Sequence, residues 1–476
     1  MKRQGNLNVE NRTIFVGDNL EILPGINSSG IDLIYLDPPF NTKKTYHAPI
    51  GSSAEGASFV DTFHEEDVKN EWLQTIYQDY PDLAEFLEGI KGIGPKSRKK
   101  DDLNFCYCAY MAIRLIELHR VLKPSGNLFL HCDGVMVHYL KLIMDCIFGH
   151  KNFRNQIVWK RTAGEMKGSQ HKSKKLMVNT DYILWYAKNK KIATFNTIYQ
   201  PLSQEKQYDF DKEIEKLFPL IDEQKRRYTD KKTTPIFSSR SMGARPNLCY
   251  TYKGITNPHP SGWRVKKERL IEMDKNNEII WRKGKSPIRK KFADNYKGKL
   301  ETNIWTDIPN LTGGQEYLGW PTQKPIKLLE RIIEVGSNKD DVVLDPFCGC
   351  ATTCFTSEKM DRKWIGIDVS EDAYNFVKKR LEEAPEALNN LWKISEKVKL
   401  GVERPKRTDQ GKDYKKQKYV YVFSNPAFKG IYKVGIAKNW KSRLYQYQIG
   451  APLRDYKKEL VLETPYYRQI EKHIHD

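Results

Sequence analysis

The chain contains two apolar runs, far apart in the sequence, that each end in an aspartate followed by a proline. The first run, Ile31–Leu36, leads into Asp37-Pro38-Pro39-Phe40, and the second, residues 342–344, leads into Asp345-Pro346-Phe347-Cys348-Gly349. Each pattern is typical of a buried strand that stops at a tight turn. Open α/β sheets bind ligands at such strand ends. The sequence therefore predicts an α/β fold with ligand sites at the ends of these two strands.

The first segment has the groups needed to hold an amino group. Asp37 offers an acceptor to one N–H, and Pro38 fixes the backbone so that a main-chain carbonyl can accept the other. Phe40 offers a flat face to a base that has swung out of its stack. Two acceptors on one amino group favour a pyramidal nitrogen whose lone pair can attack a methyl donor. The alternative is a plain Pro-Pro turn in which Asp37 is a solvated cap.

The second segment resembles a nucleotide-binding loop. Gly349 lets the backbone come close to a ligand, and the helix predicted from Thr352 offers free N–H groups at its start. The next strand, residues 364–367, ends at Asp368, where a carboxylate can accept from ribose hydroxyls. A dinucleotide site would need three glycines, and this loop has one, with Ala351 where another could stand. The pattern predicts a smaller adenosine ligand rather than NAD.

Taken together, these motifs resemble the β-group of amino-methylating DNA methyltransferases from restriction–modification systems. The resemblance extends over about the first 390 residues and includes residues 17–20 and 319–325. It implies a Rossmann-like methyltransferase sheet, S-adenosyl-L-methionine as cofactor and double-stranded DNA as substrate. Asp37, in place of the serine common in cytosine-N4 enzymes, favours adenine N6, and cytosine N4 is the alternative. A second copy of the chain or a restriction subunit is the expected protein partner.

The resemblance also implies two sets of site residues. The catalytic set is Asp37, Pro38, Pro39 and Phe40. The cofactor-binding set is Asp18, Thr322, Lys324, Asp345, Phe347, Gly349, Thr352 and Asp368. Phe40 stands where a tyrosine is commoner, which keeps the stacking face and loses a hydroxyl. Ala351 stands where a glycine is commoner.

Charge and hydropathy agree with a nucleic-acid partner. The 476 residues include 80 Lys and Arg against 60 Asp and Glu, and a net charge of +20 favours a polyanion. The alternative is a merely solvated basic surface. No apolar run approaches the ~18 residues that span a bilayer, and residues 1–6 do not resemble a signal peptide. We therefore expect no membrane association and a cytoplasmic location.

The methyltransferase resemblance divides the chain at residues 160 and 318. Residues 1–160 are predicted to form the catalytic half and residues 319–395 the cofactor-binding half, with a glycine-rich, charged mobile loop at residues 41–105. Residues 161–318 correspond to the family's target-recognition region. They are basic, with interleaved aromatic residues: Tyr250, Tyr252, Trp263, Trp281, Tyr296 and Trp305. Such side chains suit phosphate and base contacts, and the alternative is that they form the core of an accessory domain.

The C-terminal part has a different character. Residues 396–418 are polar and basic and are predicted to be a linker. Residues 419–476 resemble the small α+β GIY-YIG nuclease-like domains. In that comparison Tyr421, Arg443 and Glu471 match the tyrosine, the arginine and the metal-binding glutamate, which implies a Mg²⁺ site at Glu471.

One substitution in this domain leaves two functions open. Lys433 stands where the second tyrosine of the GIY-YIG pattern would be, so the domain either cleaves phosphodiesters or only binds DNA. Two rival functions remain for the whole chain. One is a nuclease whose methyltransferase half only recognises DNA. The other is a non-catalytic nucleic-acid binder or an RNA-directed methyltransferase.

Overall fold

The structure is a computed structural model that describes most of the chain in two compact units. The first unit comprises Met1–Asn196 and Thr302–Asp476, and the second unit comprises Thr197–Glu301. The described residues are 7–56, 58–93, 102–162, 176–199, 204–231, 233, 235–314, 316–383, 392–409, 418–437, 440–450, 455–464, 470 and 473–474.

The secondary structure follows the chain from the first unit into the second and back. The N-terminal part of the first unit contains β1 (Thr13–Val16), α1 (Asn19–Ile22), β2 (Ile31–Leu36), β3 (Lys44–His47), β4 (Ser58–Asp61), α2 (Asn70–Asp79), α3 (Pro81–Gly89), α4 (Leu103–Val121), β5 (Leu122–Cys132), α5 (Val137–Phe148), β6 (Phe153–Lys160) and β7 (Thr180–Ala187). The second unit contains α6 (Gln204–Leu217), β8 (Leu220–Ile221), β9 (Arg227–Thr229), α7 (Lys267–Lys275), β10 (Ile279–Ile280), β11 (Ile288–Arg289) and β12 (Lys291–Phe292). The chain then returns to the first unit with β13 (Ile304–Trp305), α8 (Ile326–Gly336), β14 (Val342–Asp345), α9 (Thr352–Lys359), β15 (Lys363–Asp368), α10 (Asp372–Glu382), α11 (Trp392–Ser395), β16 (Lys399–Gly401), β17 (Lys418–Ser424), β18 (Tyr432–Ala437), α12 (Trp440–Gly450) and β19 (Lys457–Thr464).

A nine-stranded sheet forms the centre of the first unit. Its strand order is β13-β6-β7-β5-β2-β14-β15-β1-β16, and every neighbouring pair is parallel except the two that involve β7. All residues of β2 and β14 are buried, as expected for parallel strands covered on both faces. The α/β prediction is therefore confirmed in its mostly parallel central sheet.

Helices fill both sides of this sheet. One hydrophobic core joins β2 and β5 to α4 and α5, whose buried residues include Met111 and Leu140. Another joins Ile14 and Trp364 to α9 and α10. Asp102 is the N-cap of α4. Its carboxylate accepts a hydrogen bond from the Phe105 N–H at 3.2 Å and so caps the first turn.

Residues 41–105, predicted to be a mobile loop, instead contain ordered elements. Strands β3 and β4 form an antiparallel hairpin, and α2 and α3 pack onto the core. Ile76, Leu83 and Leu87 are fully buried. The spacing of Leu83 and Leu87 places both on one face of α3, and that face packs into the core.

The second unit has its own small core. Trp263 is fully buried with Ile236, Leu270, Met273 and Ile279, and the ring of Tyr250 stacks on it at 5.3 Å. Tyr252 and Trp281 pack against the same cluster, and Trp305 is buried in the central sheet of the first unit. The structure thus favours the alternative interpretation of Tyr250, Tyr252, Trp263, Trp281 and Trp305, as core rather than as DNA contacts. Trp263 and Trp305 are buried so completely that neither ring has a face free for a base.

The predicted linker, residues 396–418, begins as part of the central sheet. Strand β16 pairs in parallel with β1, and Arg404 then forms an ion pair with Glu21. The Asp409 carboxylate accepts a hydrogen bond from the Ser28 N–H at 2.8 Å. Residues 399–409 therefore cover an edge strand that would otherwise have unpaired backbone groups.

The C-terminal residues form a three-stranded antiparallel sheet in the order β18-β17-β19, with α12 packed on it. Among the residues that the structure describes, none of the helices combines the length and the apolar character that crossing a membrane requires.

Candidate active site

Four adjacent parallel strands each place one aspartate at the carboxyl-terminal end of the sheet. β1, β15, β14 and β2 lie side by side, and Asp18, Asp368, Asp345 and Asp37 stand at or just beyond their carboxyl ends. All four aspartates line one cavity of ≈ 470 Å³. The strand order therefore brings together carboxylates that are far apart in the sequence.

The same cavity collects every residue that the sequence predicted for catalysis and cofactor binding. Its lining includes Asp18, Asp37, Pro38, Pro39, Phe40, Thr322, Lys324, Asp345, Phe347, Gly349, Thr352 and Asp368. Their individual roles stay predictions, and the structure supplies their common location.

Lys324, predicted to bind the cofactor, holds the predicted catalytic carboxylate. Its ammonium donates hydrogen bonds to Asp37 Oδ2 and, at 3.1 Å, to the Thr322 carbonyl. The Lys324 side chain is only 8% exposed. Asp37 Oδ1 is buried and accepts no hydrogen bond from any described residue. A charge-assisted hydrogen bond of this kind fixes where the carboxylate lies.

The segment that carries Lys324 folds back against the glycine loop. Gln323 donates a hydrogen bond to the Glu316 carbonyl at 2.7 Å and accepts one from the Leu318 N–H at 2.9 Å. Gly349 has φ +50°, and a Cβ there would lie 3.0 Å from Nε1 of Trp320. A side chain at position 349 would therefore be strained and would crowd this indole.

Asp368 ties the glycine loop to β15. Its carboxylate accepts hydrogen bonds from the Gly349 N–H at 2.7 Å and the Ser370 N–H at 3.0 Å. Burial raises its pKa above the ordinary value. Each oxygen retains a second lone pair that can accept from a ligand hydroxyl. Ala351, which precedes α9, has φ +53°, a left-handed conformation that costs a non-glycine residue roughly 1–2 kcal/mol.

Asp345 is the most strongly perturbed carboxyl group in the cavity. Burial raises its pKa to about 7, and the negative charges of Asp37 and Asp368 act in the same direction. Hydrogen bonds from Thr353 and from the Phe347 N–H oppose the shift. A cationic ligand beside Asp345 would favour its ionised form.

Asp18 is held by a buried arginine. Arg114, whose side chain is 1% exposed, donates to both carboxylate oxygens at 2.9 and 2.8 Å. Asp18 also accepts from the Leu20 N–H at 2.9 Å, as the N-cap of α1. The guanidinium lies 3.4 Å from the ring centroid of Tyr110, which lines the cavity. Arg114 thus orients the carboxylate at the end of β1.

The sequence did not reveal that the β3–β4 hairpin lines the cavity. Tyr46 and Phe59 stack at 5.0 Å with their planes 19° apart, and both face the site. Asp61 anchors the hairpin beside the predicted catalytic segment, because its carboxylate accepts hydrogen bonds from the N–H groups of Asn41, at 2.6 Å, and Thr42, at 3.0 Å. The aromatic and β-branched residues at 58–61 were the available signal for a strand.

The C-terminal domain brings two of its three predicted residues together. Arg443 Nε lies 3.4 Å from the Tyr421 hydroxyl, which is also 3.4 Å from the Tyr447 hydroxyl. Burial raises the pKa of Tyr421 to about 12. A Cβ at Gly435 would lie 2.5 Å from the Tyr421 hydroxyl, so this position needs glycine. Glu471 lies outside the described residues, within which no cluster of three His, Cys, Asp or Glu side chains could hold a metal.

Comparison with known proteins gives two family matches. The DNA methylase family, N6_N4_Mtase, matches residues 31–379. The T5orf172 domain matches residues 418–476, so the GIY-YIG interpretation of this region stays a prediction.

Two curated relatives are named as a methyltransferase and as a subunit of a restriction-modification enzyme. The chain is 30% identical over 278 residues to the type II methyltransferase M.EcaI of Enterobacter cloacae, covering 58% of this chain and 57% of the relative. It is 31% identical over 354 residues to the type III restriction-modification enzyme StyLTI Mod subunit of Salmonella typhimurium, covering 71% and 48%. The chain thus spans about half the length of these curated relatives. Among solved structures, PvuII DNA methyltransferase (cytosine-N4-specific) aligns with a TM-score of 0.41 at 12% identity, covering 83% of this chain and 98% of that chain.

Proposed function

We propose that this chain, which belongs to the DNA methylase family, transfers a methyl group from S-adenosyl-L-methionine to an exocyclic amino group of a DNA base. The observation that carries the proposal is the shared cavity, in which Asp37 and the glycine loop after Asp345 face the same space. We assign the acceptor as adenine N6, with cytosine N4 as the alternative.

The cavity fits the cofactor on three counts. Asp345 and Asp368 offer carboxylates to a ligand that carries positive charge and ribose hydroxyls. Gly349 leaves open the space beside Trp320 that a Cβ would take. The start of α9 adds backbone N–H groups at Thr352, which line the same cavity. When bound, S-adenosylmethionine supplies an electrophilic methyl group.

The chain's own residues would act on the target amine. Asp37 accepts one N–H, and a main-chain carbonyl held by Pro38 accepts the other, so the nitrogen lone pair is directed at the methyl carbon. Phe40 stacks on the extruded base. The amine loses its proton only after transfer. Asp37 therefore acts as a hydrogen-bond acceptor and need not be a strong base.

We assign the DNA and protein partners from charge and relatives. The net charge of +20 supports a DNA substrate. Residues 161–318, which contain the whole of the second unit, are proposed to read the target sequence. The Mod subunit among the relatives belongs to a type III restriction-modification enzyme by name, which supports a restriction-subunit partner, with a second copy of the chain as the alternative.

The C-terminal domain supports a second candidate function. The contact between Arg443 and Tyr421 places a cation beside a hydroxyl, a pairing that suits a phosphodiester. We propose that this GIY-YIG-like site, with Mg²⁺ held by Glu471, nicks DNA, which would make the chain bifunctional. DNA binding without cleavage is the alternative.

A labelled-methyl assay tests the primary function. Purified chain is incubated with methyl-labelled S-adenosylmethionine and either duplex DNA or RNA, and the nucleosides are separated by mass spectrometry. We expect label on duplex DNA as N6-methyladenine. Label as N4-methylcytosine would select the alternative base. Label only on RNA, or on neither polymer, would refute the proposal.

A further inference from the structure

The ring of Phe40 lies flat against a buried histidine. The centroids of Phe40 and His131 are 5.8 Å apart and their planes differ by 17°. Phe40 is half-buried and lines the cavity, whereas His131 is fully buried on β5. The imidazole therefore backs one face of the ring that is proposed to receive the target base.

Both nitrogens of His131 are held by other strands. Nδ1 lies 3.0 Å from the Tyr35 hydroxyl on β2, and Nε2 lies 3.3 Å from Asp181 Oδ2 on β7. Trp159 on β6 adds an edge contact, with ring centroids 5.5 Å apart at 88°. Residues from three neighbouring strands thus fix how the imidazole plane is oriented.

The protonation states agree with this arrangement. Burial works to raise the pKa of Asp181, but the interactions with His131, Lys324 and Arg161 together outweigh it, and the pKa lies below its ordinary value. An ionised Asp181 can only accept, so Nε2 must carry a hydrogen. Burial and the charges of nearby aspartates raise the pKa of Tyr35 well above its ordinary value, so its hydroxyl keeps a proton to donate.

We infer that His131 is a positioning residue for base stacking: held by Tyr35 and Asp181, it sets the plane of the Phe40 ring before the target base arrives. This inference rests on the proposed function. The Pro-Pro segment fixes the backbone before Phe40, but the side chain of Phe40 can still rotate. A ring already fixed in its bound orientation loses less entropy when a base stacks on it. The alternative is that His131 only packs and forms hydrogen bonds within the core.

Two variants of His131 separate stacking from hydrogen bonding. His131→Gln keeps polar groups but removes the flat ring, and His131→Phe keeps a flat ring but removes both hydrogen bonds. Asp181→Asn keeps an acceptor for Nε2 and removes the charge. Each variant is compared with wild type for melting temperature and for affinity for S-adenosylmethionine. Both kcat and KM for DNA are measured on an unmethylated duplex that contains the target site. Fluorescence of 2-aminopurine at the target position reports extrusion of the base.

We expect His131→Gln to reduce the 2-aminopurine signal and kcat/KM for DNA by about tenfold, the size of a lost stacking contact. His131→Phe should lose less. Cofactor affinity should stay within about twofold in every folded variant, because His131 does not line the cavity. Wild-type extrusion and kinetics in His131→Gln would overturn the inference.

A double-mutant cycle with Phe40→Ala covers the case in which His131→Gln fails to fold. In the Phe40→Ala background, a positioning role predicts that His131→Phe and Asp181→Asn have no further effect on extrusion. Effects that add in full would overturn the inference. Wild-type chain without any methyl transfer would instead refute the proposed function, so the two failures are distinguishable.

Discussion

Lys324 donates a hydrogen bond to the carboxylate of Asp37 across 287 positions of sequence. The contact joins the segment before α8 to the end of β2, and it leaves the other oxygen of Asp37, Oδ1, to accept an N–H of a target amine. The carboxylate that is proposed to be catalytic is therefore already paired with a cation before any substrate is present.

Asp37→Ala should abolish methyl transfer, because the target amine loses its side-chain acceptor. Affinity for S-adenosylmethionine, measured by calorimetry, should remain within about threefold of wild type. Asp37→Asn is the matched variant: it keeps an acceptor oxygen and should retain a small residual rate. Methylation by Asp37→Ala near the wild-type rate would contradict the assignment of this residue.

Lys324→Met should lower the free energy of unfolding by about 2 kcal/mol, because it leaves the Asp37 carboxylate without its cation. Methyl transfer should fall as well, since the carboxylate is no longer fixed. Lys327→Met, an exposed lysine at the start of α8, is the control and should change neither quantity. Equal behaviour of the two variants in urea titrations and in the methyl assay would argue against the role of the ion pair.

Affinity for S-adenosylmethionine should rise with pH through about 7, where Asp345 ionises. A cationic ligand binds the ionised carboxyl more tightly than the neutral one, and one coupled group can change affinity at most about tenfold per pH unit. Asp345→Asn should bind more weakly at pH 8 and show a flatter profile. A wild-type profile unchanged by this substitution would exclude Asp345 as the titrating group.

The same group should affect folding stability in the opposite direction. Its pKa in the folded chain is raised from 3.8 to about 7, so folding favours the protonated form. This contribution is fully present below pH 3.8 and is lost as the pH rises through about 7. The cofactor-free Asp345→Asn variant should therefore gain relative stability between pH 5 and 8, as thermal melts at matched ionic strength can show.

Gly349→Val should weaken cofactor binding by more than about tenfold, because a side chain there meets Trp320 and is strained at φ +50°. Gly284→Val tests the strain alone: Gly284 has φ +69° with no atom within 4 Å of a Cβ. Asp368→Ala should also weaken binding by removing ribose acceptors. Calorimetric affinities unchanged in both Gly349→Val and Asp368→Ala would exclude this loop as the cofactor site.

The C-terminal domain can be removed without disturbing the sheet only if the cut falls after Asp409. Deletion of residues 410–476 should keep methylation, whereas deletion from residue 396 should destabilise the core by removing β16. With Mg²⁺, wild-type chain should nick unmethylated DNA, and Glu471→Ala should stop it. Absence of nicking in wild type, with weaker and less salt-sensitive DNA binding on truncation at 410, would select the binding function instead.

The sequence was informative where local pattern and burial coincide. β2 and β14 are apolar throughout because both of their faces are covered, so their ends, and with them Asp37 and Asp345, could be located in advance. The hairpin with Tyr46 gave a weaker signal, since each of its strands has four residues and it is anchored by tertiary contacts such as those of Asp61.

Other features depend on partners distant in sequence. Lys324 could be placed in a motif, but its contact with Asp37 arises only from the order of strands in the sheet. Trp263 and Tyr250 suggested a DNA surface because their neighbours are basic, and only tertiary packing shows that they form a core. The polar residues 399–409 were predicted to be a linker because the sequence shows no apolar pattern there. Their stabilising contacts are hydrogen bonds and ion pairs, which a hydrophobic pattern cannot indicate.

The docking of residues 399–409 sets how far apart the two proposed activities can act. Only residues 410–417 separate Asp409 from the start of β17. A chain of that length reaches at most about 30 Å when fully extended. That reach corresponds to about nine base pairs of duplex at ~3.4 Å per base pair, measured from Asp409 to the start of β17. If both proposed activities belong to this chain, the eight residues would limit how far cleavage can occur from the methylated base, and mapping both positions on the same DNA molecule can measure that limit.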